Sequence, residues 1–272
     1  MDPDEPAARD ARVGYAPIFD RLLLIYAESP ELHVTPGYQK VAHLAHGWYM
    51  RCYRGAQAIV ALDREGYAVE AAGIRRSIIE HVVALKWLAA EGDVILDPVA
   101  RAHARSAERI LAAATAADWK SIDPTQMAEV IASAEADLRS SENDYLSHFA
   151  HRAAKHADVH TMPGYLAECD QTHACYESAM AYVTVPDGSP LFTPRTAVPQ
   201  VPFATGELLE ATIALQPVFV DPPWAGALAQ LRADLLVVTD AVREQDGLPP
   251  VDWTTGTLRD KDPQGEQPPD AP

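Results

Sequence analysis

Residues 65–91, EGYAVEAAGIRRSIIEHVVALKWLAAE, constrain the fold more than any other part of the chain. Wound as an α-helix at about 100° per residue, the stretch is apolar on two sides. One stripe carries Ala71, Ile74, Ile78, Val82 and Leu85; the other carries Val69, Ala72, Ile79, Val83 and Trp87. A helix apolar on two sides is enclosed by neighbours rather than lying on a surface. Arg76 and Glu80 fall in the second stripe, one turn apart, and charges set among Val69, Ile79 and Val83 need partners. Arg placed N-terminal to Glu is the weaker order for an i,i+4 pair. The pair therefore reads as a buried tie to neighbouring helices or as a clamp for an anion or substrate.

The rest of the chain supplies the neighbours. Apolar periodicity predicts helices over 8–28, from Thr35-Pro36 to about 63, over 97–119, over 123–156 with a break at Ser140-Ser141, and over 163–182, 205–216 and 222–244. Thr35-Pro36, Asp97-Pro98 and Asp221-Pro222 read as an N-cap followed by proline in the first turn. Asp123-Pro124-Thr125-Gln126 is a near-complete capping box. Residues 186–203 contain five prolines and read as an extended strap across the bundle. From residue 247 the chain is acidic, proline-rich and poor in apolar residues, which predicts a disordered tail. The expected fold class is all-α: a single helical bundle of seven or eight helices over 8–246, with the strap inside it and the tail at 247–272.

Charge narrows the partners. With 22 Lys and Arg against 39 Asp and Glu the net charge is −17, which argues against broad binding to nucleic acid or to anionic membrane. Cys52, Cys169 and Cys175 form no CxxC and leave an odd count, so free thiols in a reducing compartment are expected. The first ten residues have neither a basic nor an apolar region of a secretory signal, and Leu22-Leu23-Leu24-Ile25 is too short to span a bilayer. These features predict a cytoplasmic protein.

The run Arg76-Ser77-Ile78-Ile79-Glu80, placed after a long helix ending near Gly66 and before an apolar run, resembles a set of bacterial helical domains of unknown function. The resemblance covers about residues 40–185. In those domains a later helix carries a Tyr, a Ser and a His-Pro; Tyr176 matches the first, while Met180 and Thr184 stand where Ser and His are expected. The resemblance implies an all-helical fold and no particular activity. The spacing Arg76-x4-His81 is also similar to that of HEPN-type helical ribonucleases, which pair such residues across a dimer. There the Arg would stabilise a phosphorane and the His would act as acid or base. On a regular helix, however, the two residues point about 140° apart.

Histidines offer a further chemistry. His148, His151, His156 and His160 crowd one segment, and His43 and His46 sit one turn apart. Spacing of i,i+3 suits metal ligands, with His148 and His151 the candidates, but no HExxH occurs and no Glu-x-x-His pair as di-iron bundles need. There is no GxSxG, no Gly-rich phosphate loop and no Rossmann fingerprint, so no cofactor is expected. On the second helix, His43, His46, Met50 and Tyr53 form a half-polar face able to line a pocket between helices. The reading favoured by the sequence is a cytoplasmic binding or interaction protein, a candidate homodimer, with a small-molecule or anion pocket lined by Arg76, Glu80, His43, His46 and Tyr53. Two enzymatic readings stand beside it: a metal-independent ribonuclease using Arg76 and His81, and a metal-dependent hydrolase using the histidines of 148–160.

Overall fold

The structure is a computed structural model that describes residues 10–28, 31–121, 123–137, 144–183, 198–249, 251–252 and 257–258. Its elements are α1 (Tyr15–Ala27), α2 (Ala42–Arg64), α3 (Ala72–Glu91), α4 (Leu96–Ala116), α5 (Pro124–Asp137), α6 (Phe149–His156), α7 (Thr161–Thr172), α8 (Tyr176–Met180), α9 (Gln200–Leu215) and α10 (Ala225–Gln245). The fold is all-α, with eight of these helices reaching twelve residues or more. Among the described residues two short strands, Val251–Asp252 (β1) and Thr257–Leu258 (β2), pair antiparallel. Residues 250, 253–256 and 259–272 of the expected tail, like residues 186–197 of the expected strap, lie outside the described residues. No helix among the described residues is long and apolar enough to cross a membrane.

The enclosure of the third helix is as its two stripes require. α3 touches α2 and α9 along one flank and α6 and α7 along the other, and Ile78, Ile79, Val82, Val83, Leu85 and Trp87 are all buried. The main core continues through α1 and α10, where Leu22 and Leu228 are buried in one cluster with Tyr49 of α2 and Leu208 of α9. α4 and α5 form a hairpin at the edge of this body.

Several boundaries move, each for a physical reason. α2 begins at Ala42 rather than after Pro36, because Gly37 takes φ 93° and turns the chain out of helix. The cap of α2 comes from across the bundle: Asp93, just beyond α3, accepts the amides of Lys40 at 2.8 Å and Val41 at 3.2 Å, while its own amide donates to the Gly37 carbonyl at 2.7 Å. Gly92 sits at φ 60°, and a Cβ there would lie 2.6 Å from the Gly37 carbonyl oxygen. Only glycine fits such an approach.

α2 ends at Gly66 as the sequence indicates. Gly66, at φ 82°, lets its amide reach the Asp63 carbonyl and that of Tyr67 reach Leu62, the paired bonds of a Schellman stop. Residues 65–71 are therefore turn, and α3 starts at Ala72. Asp123 caps α5 as expected, accepting the Thr125 amide at 2.8 Å. The expected helix over 163–182 is two helices, parted after Thr172. The expected strap ends earlier than residue 203: α9 begins at Gln200, and Pro202 lies in its first turn, where a missing amide costs nothing.

Candidate functional site

The charged face of α3 differs from its sequence reading by one residue. The fully buried cation is Arg75, 1% exposed, not Arg76. Arg75 Nε donates to Glu168 Oε1 at 2.8 Å, and Nη1 donates to the Ala68 carbonyl and to Gln200 Oε1, each at 2.9 Å. This tie joins α3 to α7 and to the start of α9. At about 100° per residue Arg75 falls between Ile79 and Val82, in the gap between the two stripes. Both of those neighbours are buried, so the stripes merge there and Arg76 and Glu80 are left at the rim.

Arg76 and Glu80 do pair, at 3.3 Å, with their side chains 32% and 33% exposed. They face α7 and gather a polar cluster. Tyr165 donates its hydroxyl to Glu80 Oε1 at 3.0 Å, and the Arg76 guanidinium stands over the Tyr165 ring, 5.4 Å from its centre. The Phe149 ring lies 3.9 Å from that of Tyr165. Burial, with Glu80 alongside, pushes the Tyr165 hydroxyl up to about 12, so it keeps its proton and donates.

Arg152 reaches the same seam from α6. Its guanidinium stands over Trp87, 5.7 Å from the ring centre, and Nη1 donates to the Leu146 carbonyl at 3.4 Å. Its Nε is buried with no acceptor among the described residues. Burial lowers the pKa of Arg152, against the pull of Glu80 and Tyr165. His81 lies on the neighbouring face of α3, and its Nδ1 donates to the Ser77 carbonyl at 2.6 Å. That bond leaves Nε2 as the lone-pair nitrogen. Burial, with Arg51 and Arg152 adding to it, pulls His81 below its usual value, so the ring is neutral near pH 7.

Of the residues singled out in the sequence, the structure brings Arg76 and Glu80 together, with His81 beside them. The His43–Tyr53 face lies elsewhere. The Tyr26 hydroxyl of α1 bonds His46 Nδ1 at 2.7 Å, and Tyr53 donates to the Leu23 carbonyl at 3.2 Å. These bonds turn that face of α2 toward α1, whereas α2 meets α3 through Gly55, packed on Ile78. His43 is exposed. His148 and His151 stack edge to face with ring centres 6.4 Å apart, and His156 turns toward Glu91 instead. No group of three His, Cys, Asp or Glu among the described residues could hold a metal ion.

Tyr165 and Arg152 are the site residues that sequence reasoning missed. A signal for the first was present. The fourfold spacing assigned to Tyr176, Met180 and Thr184 also occurs at Tyr165, Cys169 and His173. Tyr176 is 72% exposed on α8, while Tyr165 is the tyrosine that meets Glu80. Arg152 carried no such signal, because the Trp87 ring it covers lies on another helix.

Comparison with known proteins places this geometry. A family of unknown function, DUF5677, matches residues 42–190, from the start of α2 to beyond α8, and so takes in every residue of the α3–α6–α7 seam. No curated protein and no solved structure matches the chain. With more than half of its length inside that match, the chain belongs to the DUF5677 family.

Proposed function

We propose that the protein is a cytoplasmic ligand-binding domain whose site is the seam of α3 with α6 and α7, and that its ligand is a small molecule bearing an acidic group. The observation that carries this is Arg152. Arg76 has Glu80 as its counter-ion, whereas Arg152 has a carbonyl and an aromatic face but no ion-pair partner among the described residues. A guanidinium held in a half-buried place without a carboxylate is costly to folding, and an anionic ligand offsets that cost. Arg76 and Glu80, each about a third exposed, put the rim of the seam within reach of a ligand, and the three free thiols support the reducing compartment.

The test is the melting of full-length protein in sodium acetate, phosphate or sulfate against sodium chloride at equal ionic strength. At least one of these anions is expected to raise the midpoint by a few degrees, since a ligand bound only to the native state stabilises it. Arg152→Met should abolish the rise while leaving the ligand-free protein as stable as wild type or more so. Equal midpoints in all salts for the wild type would sink the reading.

A second reading, a metal-independent ribonuclease, is favoured by one observation: His81 is neutral and its Nε2 is free of the Ser77 bond, as a base requires. It predicts RNA cleavage that survives EDTA and is lost in both His81→Ala and Arg76→Ala. Absence of cleavage by folded wild-type protein removes it.

A further inference from the structure

Two buried nitrogens on the α3–α6 seam, Arg152 Nε and Trp87 Nε1, have no hydrogen-bond acceptor among the described residues, and a third, His156 Nε2, has only a long contact to Glu91. They belong to facing residues of two packed helices. Arg152 and His156 are one turn apart on α6, and the Arg152 guanidinium stands over Trp87. One turn beyond Trp87, Glu91 lies 3.5 Å from His156 Nε2. Trp87 is fully buried and the His156 side chain is 9% exposed. Folded proteins leave few buried polar groups unpaired, and each instance asks for a reason. Two on one seam, with a third weakly held beside them, ask for a shared acceptor.

Charge decides the kind of acceptor. Arg76 is balanced by Glu80, and Lys155 by Glu91 at 2.5 Å. Arg152 is balanced by neither, so the seam carries one positive charge in excess. A dianion would set a second negative charge between Glu80 and Glu91, and a neutral acceptor would leave the guanidinium uncompensated. Resting on the ligand-binding reading above, we propose that the α3–α6 seam seats the carboxylate of a small organic acid. Its oxygens accept Arg152 Nε–H and Trp87 Nε1–H, and His156 is the third donor in its Nε2–H tautomer. The Trp87 ring forms the wall against which the guanidinium is held.

The indole N–H of Trp87 reports on this seat directly. Full-length 15N-labelled protein contains five tryptophans, and through-bond assignment identifies Trp87 without substitution. Titration with sodium acetate at pH 7, with chloride keeping the ionic strength constant, is expected to shift the Trp87 indole signal downfield in a saturable way. Sodium phosphate should leave it unmoved, and Arg152→Met should abolish the acetate response. A Trp87 signal that acetate and formate do not move overturns the carboxylate seat. If anions still raise the melting point through Arg152 in that case, the broader ligand-binding reading survives and the acid sits elsewhere around the guanidinium. A response to phosphate without one to acetate overturns the monoanion assignment. Saturation in Arg152→Met equal to that of wild type overturns the part given to Arg152.

Discussion

Arg75→Ala is expected to destabilise the protein by about 3–5 kcal/mol, the range found when one partner of a buried ion pair is removed. The loss follows from what remains behind. Glu168, 4% exposed, would keep its charge without the guanidinium, and its Oε2 already has no partner among the described residues. Gln200 Oε1 would lose its donor as well. Replacing both partners, as in Arg75→Met with Glu168→Leu, should recover most of the loss, because an apolar pair of similar volume leaves no charge in the interior. Arg76→Ala sets the scale, since a rim pair of the i,i+4 kind is worth only about 0.3–0.5 kcal/mol. Urea unfolding of the three variants measures the contrast. An Arg75→Ala protein no less stable than Arg76→Ala would show that the tie is not closed in solution.

Glu207→Gln is expected to stabilise the protein at alkaline pH and to do nothing in acid. Glu207 lies on α9, and burial, Glu210 and Asp158 push its carboxyl up to about 7, against the pull of Lys86. Lys86 itself is paired with Glu210 at 2.6 Å. In the folded protein the carboxyl thus holds its proton to higher pH than the ordinary 4.5. The sign follows. Below pH 4.5 Glu207 is neutral in both states and costs nothing; as pH rises to 7 the unfolded state is favoured increasingly, and above 7 the penalty is constant. A shift of that size corresponds to about 3.4 kcal/mol, which the partial exposure of Glu207 reduces to about 2–3 kcal/mol. Gln cannot titrate, so the variant should gain on wild type between pH 5 and pH 8 in urea unfolding. A constant difference across that range would refute the raised carboxyl. The nearby Cys52 thiol is also pushed up, first by burial and then by Glu207, so it stays protonated and does not contribute to the trend.

The parts of this fold that could be read from the sequence are those written in consecutive residues. The twin stripes of α3, the glycine stop of α2 and the Asp123 cap are each set within one or two helical turns. The parts that could not be read depend on residues far apart in the chain. The start of α2 is fixed by Asp93, more than fifty residues later, so no inspection of Thr35-Pro36 could locate it. Arg75 and Arg76 are adjacent, and which one enters the core depends on where α7 and α9 lie around α3. The same limit applied to the site. Arg76 and Glu80 were visible as a pair, but Tyr165 and Arg152 join them only because α6 and α7 pack on that flank. Pro202 was misleading for the opposite reason, since proline excludes a helix interior yet suits a first turn.

The exchange of bonds between Asp93 and residues 37–41 also has a mechanical side. α2 and α3 run antiparallel and are joined covalently through residues 65–71 at one end. At the other end the Gly37 carbonyl and the Asp93 carboxylate fasten them, with Gly92 making the approach close enough. The pair is thus a closed ring with a fastening at each pole. Such a hairpin cannot fray from either tip, and a chain nicked by a protease between Gly66 and Ala71 would still hold its two arms together.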